Sequence, residues 1–319
     1  MKFLALALMA PCTALIAQVH IQGVTSISPL ESVAGTDIGE QVNAAIQECP
    51  DGCRINIDAG DFSYSTPITI HRIGLQIVGA GGRATRLHFN GHGAAIEMRT
   101  EPFAIDSHNL LQGLSIDVES GNTALLTGDL VGAAFRDLYI GCGGQPGTVG
   151  ILAKLSRGWF ERNLFESVDV KYCEQDIAMQ VEPTNEYTSF GYNKFLQVGL
   201  NLSAGEEGFV VGQRATLYHS ILDINVNVDS GVMDDETEVF CIYGTVDANS
   251  MQLVGESVNP TVGVHVYKGG KFTQDGQLSL LNMSIIQPRI SAPPPRATPP
   301  PDNTRRPIGV SSRLSPQTK

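Results

Sequence analysis

The chain has 319 residues, 42% of them hydrophobic and 17% charged, with a formal net charge of −12 at pH 7. That composition is enough for a sizeable core, and the acidic balance excludes a nucleic-acid-binding surface, which needs a basic stripe. The charge is uneven: from Pro288 onward there are six basic residues (Arg289, Arg296, Arg305, Arg306, Arg313, Lys319) against Asp302, which leaves about −17 on the rest.

The first 17 residues read as a secretory signal peptide: Lys2, an apolar run from Phe3 to Met9, then small residues ending near Ala14 or Ala17. The run is too short to span a bilayer, so cleavage is expected. Cys12 invites a lipoprotein reading, but Pro11 before it does not fit the small residue usual there. No other segment is apolar enough to cross a membrane, so the expected location is secreted, periplasmic or extracellular. Residues 18–35 read as an extended leader. Asp37-Ile38-Gly39-Glu40 resembles a capping box and opens a helix over 37–49 with Ile38, Val42, Ala45, Ile46 and Cys49 on its apolar face. At the head of a repeat array, such a helix plugs the first coil. Export permits disulfides, and Cys49-Pro50-Asp51-Gly52-Cys53 reads as a turn stapled by Cys49–Cys53. Short strands follow at Arg54–Asp58, Ile68–Ile70, Leu75–Val78, Arg86–Phe89 and Ala94–Met98, separated by Gly and Asn turns.

From Leu111 onward a repeat of about 28 residues governs the chain. Each unit has an anchor followed by apolar positions three, five and seven residues later. The series is Leu111-Leu114-Ile116-Val118, Phe135-Leu138-Ile140-Cys142, Phe165-Val168-Val170-Tyr172, Phe195-Val198-Leu200-Leu202 and Ile221-Ile224-Val226-Val228. Met251-Val254-(Glu256)-Val258 and Leu278-Leu281-Met283-Ile285 complete it, with Glu256 the single break. Alternation over the later positions marks strands with one buried face, and a second short strand follows each. The predicted architecture is an all-β solenoid, a right-handed parallel β-helix over 36–287. A β-sandwich would need hairpin turns and no shared register. Cys142 falls at an inward position, as a small buried thiol or as one half of a bridge to Cys173. Residues 288–319 form a Pro-rich basic tail that is expected to be disordered.

The opening Asp37-Ile38-Gly39…Ala44-Ala45-Ile46…Cys49-Pro50…Gly52-Cys53-Arg54-Ile55-Asn56-Ile57-Asp58-Ala59-Gly60-Asp61-Phe62 resembles the start of right-handed parallel β-helix proteins of the pectate lyase superfamily, and Ile77-Val78-Gly79-Ala80-Gly81 resembles their next coil turn. The resemblance implies the pectin-lyase-like fold and a place among lyases, hydrolases, epimerase-like proteins and phage tail spikes. It does not carry an activity: the Asn-Thr-Asp, His-Gly and Arg-Ile-Lys motifs of polygalacturonase-type hydrolases are absent, and Asp234-Asp235 falls in a loop. The calcium-dependent lyases need a carboxylate cluster with an Arg or Lys base, and no such Arg accompanies Asp169.

Residues between the inward positions face outward as a stacked column. It reads Ser115/Asp117, Tyr139/Gly141, Asp169/Lys171, Gly199/Asn201, Asn225/Asn227, Gly255/Ser257 and Asn282/Ser284. Such an array of amides, hydroxyls and carboxylates suits a polysaccharide; it is equally the polar outer face that any solenoid must have. Asp169 is the candidate acid or base, with Asp137 or Asp117 as partner and Lys171 beside it. Asp117 is placed two coils away, about 9–10 Å, at the edge of the roughly 6.5–9.5 Å used by inverting glycosidases. Tyr139, Asn201, Asn225 and Asn227 are candidate sugar ligands, and Trp159, Tyr187 and Tyr192 a candidate aromatic wall. No cofactor is expected. Gly79-Ala80-Gly81-Gly82 is followed by no helix that could make a phosphate loop, and His88 and His92 lack a ligand-spaced partner. The acidic insertion 229–238 lacks the ligand order of a calcium loop and is at most a loose calcium site. Two functions fit: cleavage of a bound polysaccharide by hydrolysis or elimination, or a non-catalytic glycan-binding or surface-structural solenoid.

Overall fold

The computed structural model describes residues 24–27, 37–50, 52–228, 237–255, 263–281 and 285–286. The signal peptide, most of the leader, residues 229–236 of the acidic insertion and the Pro-rich tail lie outside the described residues. The fold is a parallel β-solenoid of about seven turns with one helix near its N-terminus. Each strand pairs in parallel with the strand one coil on, so the backbone ladder is satisfied between coils rather than within them.

Three columns of strands wrap the core. The first holds the repeat: Leu110–Val118, then Ala134–Leu155, Leu164–Val181, Lys194–Leu202, Thr216–Val228 and Thr245–Gly255, some continuing round a corner. The second stacks Thr123–Thr127 under the ends of the long strands and continues through Glu207–Val211, Glu238–Ile242 and Val264–Val266. The third is short, with Leu130–Val131 on Phe160–Glu161 and Ser189–Gly191 on Thr216 to Tyr218. The segment Val24–Ile27 of the leader adds a strand beside Arg54–Ile57.

The three-residue step from each anchor has a backbone cause. Gly113, Asp137, Ser167 and Gln197 each sit two residues after an anchor with φ of 70°, 48°, 55° and 54°. One left-handed residue per coil is left out of the ladder, which passes from Arg136↔Glu166 directly to Leu138↔Val168. This stacked bulge inserts the extra residue and aims its side chain outward.

The fifth coil lacks the bulge, and there the sequence register fails. Leu222 lies opposite Phe195 and Ile224 opposite Val198, so the anchor is Leu222, whereas Ile221 is 36% exposed. The shift propagates. Met251 and Leu253 continue the buried row, while Val254 pairs with Asn225 of the outer column and Gly255 with inward Val226. In the seventh coil Leu278 and Leu280 lie opposite Met251 and Leu253 in place of the expected Leu278 and Leu281. Ile285 pairs with Val264 of the second column. The assignment of Gly255 to the outer column is therefore wrong by one residue, and Ser257, Asn282 and Ser284 lie outside the described residues.

The core is a ladder of like on like. Phe135, Phe165 and Phe195 stack at centroid distances of 4.6 and 4.7 Å, and Phe209 stacks on Phe240 at 4.8 Å. These are the intercoil spacing itself, about 4.8 Å, so rings on successive coils meet face to face. At the corner two residues before the anchors Leu111, Phe165 and Phe195 stand the buried amides Asn109, Asn163 and Asn193, with Ser220 in the same place before Leu222 and Ala133 before Phe135. Asn163 accepts from the Ala133 N–H and donates to the Leu130 carbonyl, and Asn193 accepts from the Asn163 N–H and donates to the Phe160 carbonyl. The row satisfies backbone groups that the turn would otherwise bury unpaired.

The helix Ile38–Glu48 caps the first coil with Ile38, Val42 and Ile46 buried. Asp37 accepts from the Gly39 and Glu40 N–H groups and, with its other oxygen, from Ser65 and Thr66. The Cys49–Cys53 disulfide closes the following turn. A second disulfide joins Cys142 to Cys173 on the next coil, Cα atoms 4.8 Å apart. Of the two readings of Cys142, the bridge holds. Tyr172, expected inward, is half-buried with φ 54°, and this left-handed turn hands the inward position to Cys173.

Candidate functional site

The outer face of the first column carries a groove built by the register. One row of Cα partners runs Asp61, Arg86, Ser115, Tyr139, Asp169, Gly199 and Asn225. The row beside it runs Ser63, His88, Asp117, Gly141, Lys171, Asn201 and Asn227. The sequence-derived column is thus in place from the first to the fifth repeat.

Three depressions lie along these rows and share lining residues. A cleft of about 670 Å³ is lined by Asp117, Tyr139, Gly141, Lys171 and Tyr172 among others. A second of about 330 Å³ is lined by Arg83, Asp137, Tyr139, Ser167, Asp169 and Gln197. A third of about 160 Å³ is bounded by Asp169, Gln197, Asn201, Asn225 and Asn227. Tyr139 joins the first to the second, and Asp169 with Gln197 joins the second to the third. The bulge residues Asp137, Ser167 and Gln197 form one wall of the middle cleft, so the irregularity that spaces the repeat also shapes the groove.

Two glycines set the carboxylates. A Cβ at Gly141 would stand 2.5 Å from Asp117 Oδ1, and one at Gly199 would stand even closer to Asp169 Oδ1. Each acid therefore leans over a glycine on the next coil, a position any other residue would fill. Asp169 has its carboxyl raised above the usual range because desolvation outweighs the pull of Lys171 and Arg83. Asp117 is raised too: burial dominates over His88 and Arg86, which favour its charged form, and Asp61 adds to the rise. His88 bridges Asp117 at 3.2 Å and Asp61 at 3.5 Å, and Arg86 pairs with Asp61 at 3.0 Å. Lys171 Nζ lies 4.6 Å and Arg83 Cζ 5.5 Å from the centre of the Tyr139 ring.

The register separates the proposed carboxylate pairs. Asp117 aligns with Lys171, not with Asp169, so it is two coils and two residues away, about 12 Å between Cα atoms. That exceeds the earlier 9–10 Å, which left out the offset along the strand. Asp137 is one coil and two residues from Asp169, about 8 Å by the same reckoning, and both line the middle cleft. The Asp137 carboxylate also accepts from the Gly82 N–H at 3.2 Å.

The aromatic residues go elsewhere. Trp159 packs edge-on between Phe103 and Tyr187, on the loop that leads into the third column. That loop is held by buried Asp129, which accepts from the Ser156, Arg157 and Gly158 N–H groups. Tyr192 packs against Tyr218 and His219, beside a cluster in which the Tyr218 hydroxyl donates to Glu161 at 2.7 Å. None of Trp159, Tyr187 and Tyr192 lines the three clefts. Sequence reasoning missed Arg83, His88, Ser167 and Gln197. The last two carried a signal: each stands two residues after an anchor, where the three-residue step marks an outward bulge.

No family model matches the chain, and no curated protein resembles it in sequence. Among solved structures it is similar to ORF18 of Geobacillus virus E2, at 13% sequence identity and a TM-score of 0.38. The match covers 78% of this chain and 58% of that one, less than two thirds of its length.

Proposed function

We propose that this protein is an exported, pectin-lyase-like β-helix that binds a polysaccharide along the first-column groove and hydrolyses it with Asp169 and Asp137. The observation that carries this reading is the run of three clefts that meet at Tyr139 and Asp169. A chain of sugars needs an extended groove with polar groups at regular spacing, and the rows through Asn201, Asn225 and Asn227 supply amides on successive coils. Tyr139 stands at the junction of the first two clefts with Lys171 and Arg83 over its ring, so the junction presents polar groups rather than a bare ring face.

In the proposed reaction, protonated Asp169 gives its proton to the glycosidic oxygen as the carbon–oxygen bond breaks. Asp137 takes a proton from the water that adds to the freed carbon. Burial raises the Asp169 carboxyl and so favours its acid form, and Asp137 lines the same middle cleft as the candidate base. Because the acid form is required, the rate falls as pH rises through the Asp169 value. Elimination wants a cation to neutralise a uronate before the proton leaves, and Lys171 and Arg83 beside Asp169 are such cations, so the product decides between the two reactions. The Cys49–Cys53 and Cys142–Cys173 disulfides support export into an oxidising compartment.

The test is incubation with a panel of plant and bacterial polysaccharides, reading retention, reducing ends and absorbance from unsaturated products. Retention with new reducing ends and no unsaturated product is expected. Unsaturated product would replace hydrolysis by elimination, and retention by no polysaccharide would leave a purely structural solenoid.

A further inference from the structure

A cluster of aromatic and polar side chains lies at the corner between the third and first columns, and it shares no residue with the three clefts. Its floor is Tyr218. Gly191 is the partner of Tyr218 in register, and a Cβ there would stand 2.7 Å from the Tyr218 hydroxyl and 2.8 Å from its Cε1. The hydroxyl end of the ring therefore lies over bare backbone and reaches past that coil, where it donates to Glu161 Oε1 at 2.7 Å. Ser189 donates to the same oxygen and lies 2.9 Å from the Tyr218 hydroxyl. Burial and the Glu161 charge push that hydroxyl above its ordinary value, against the pull of Ser189, so it stays a donor.

A wall rises beside this floor. Arg162, Tyr192 and His219 are the left-handed corner residues of three successive coils, with φ of 56°, 57° and 47°, and all three are exposed. The Tyr192 and His219 rings lie at 34° to each other, while they stand at 74° and 73° to the Tyr218 ring. Each of the three pairs has its ring centres 5.4 Å apart. The rings thus make a shelf, with Tyr218 as floor and Tyr192 and His219 as wall. The shelf is open: Tyr192 is 49% exposed, and Glu161 Oε2 at its edge has no partner among the described residues. One coil before Arg162 the same corner position is Gly132, with φ 76°. A bulky tyrosine is more costly there than glycine, which points to a use for its ring outside the fold.

We propose that this shelf is a second carbohydrate site, which takes an all-equatorial pyranose of a β-linked chain; its ligand class rests on the polysaccharide reading of the groove. The Tyr218 ring supplies a flat apolar surface, and a pyranose with every hydroxyl equatorial turns only C–H groups toward such a surface. The sugar hydroxyls then point outward around the rim. There Glu161 Oε2 accepts from neighbouring hydroxyls, and the Arg162 guanidinium on the same coil is a donor. Tyr192 and His219 close one side and fix the position of the ring. A chain held on the shelf stays with the protein while the groove releases its product.

The test is fluorine magnetic resonance of the full chain labelled with 3-fluorotyrosine and titrated with cellohexaose, its eight tyrosine signals assigned by single Tyr→Phe variants. Saturable movement of the Tyr192 and Tyr218 signals is expected. Sorbitol, which has the hydroxyls but no ring face, should move neither. Tyr139 reports the groove separately, so failure of one surface is read apart from failure of the other. Tyr192→Ala changes an exposed side chain and is expected to fold; it should weaken the effect of cellohexaose on the Tyr218 signal roughly five-fold, the loss of one aromatic contact. Movement of the Tyr139 signal alone, movement of no signal, or an equal response to sorbitol would overturn the shelf. Unchanged affinity in Tyr192→Ala would overturn it too.

Discussion

At the scale of single residues, neighbouring positions in the same strand have opposite sensitivities. Leu200 is buried between Val170 and Val226, while Asn201 next to it faces the groove. Leu200→Asp should unfold the middle coils by burying an unpaired charge, at a cost of several kcal/mol. Asn201→Asp should leave the melting temperature nearly unchanged, and equal behaviour of the two in a thermal melt would contradict the register. The corner amides make a sharper case. Asn193→Leu keeps the volume but strips the partners of the Asn163 N–H and the Phe160 carbonyl, both buried. At about 1–3 kcal/mol for each orphaned group, a loss of roughly 2–6 kcal/mol is expected in urea unfolding. A loss under about 1 kcal/mol would mean that water replaces the amide. These asparagines were readable beforehand, two residues before the anchors Leu111, Phe165 and Phe195. Ser220 stands the same distance before Leu222, and that spacing would have chosen Leu222 over Ile221.

At the scale of elements, the period was plain in the sequence and the bulge was not. Apolar spacing reports which residues turn inward; a three-residue step and a two-residue step both keep the next residue buried when a left-handed residue takes up the difference. Gly113, Asp137, Ser167 and Gln197 take it up in four coils, and the fifth coil dispenses with it. Deleting Gln197 should therefore give a folded protein that resembles its own fifth coil. Deleting Gly199, within the alternating stretch, should invert the strand and prevent folding. Circular dichroism of the pair checks this, and two folded or two unfolded proteins would contradict it. The capping helix offers a pH test. Desolvation pushes the Asp37 carboxyl up from its ordinary 3.8, but hydrogen bonds from Ser65, Thr66 and Gly39 outweigh it and the net shift is downward. Its contribution is therefore complete above 3.8 and lost as pH falls through the lower folded value. Asp37→Ala should cost about 1–2 kcal/mol at pH 7 and less at pH 2–3. The disulfide between Cys142 and Cys173 was left open by the sequence because the left-handed turn at Tyr172 shifts the inward position by one residue, which no apolar pattern records.

At the scale of the whole molecule, the solenoid turns a linear repeat into a linear groove, and the residues that matter lie on different coils at one height. Composition and period showed the column of Tyr139, Asp169, Asn201 and Asn225. The same pairs put Asp117 one row over from Asp169, an offset that the 9–10 Å figure left out, but they could not show that Trp159 and Tyr187 pack on each other instead of on the groove. Aromatic residues beside a polar column look alike on paper whether they line it or plug a loop, since only the corner geometry set by Asp129 and the third column separates the two. The claim that the first-column groove is the binding surface rests on that separation. Affinity electrophoresis through a gel containing the retained polysaccharide tests it most directly, comparing wild type with Tyr139→Ala, Lys171→Ala and Trp159→Ala. Tyr139→Ala and Lys171→Ala should each lose most of the retardation, and Trp159→Ala should migrate as wild type does. Full retardation of both groove variants, with loss only in Trp159→Ala, would move the binding surface to the aromatic loops and contradict the account.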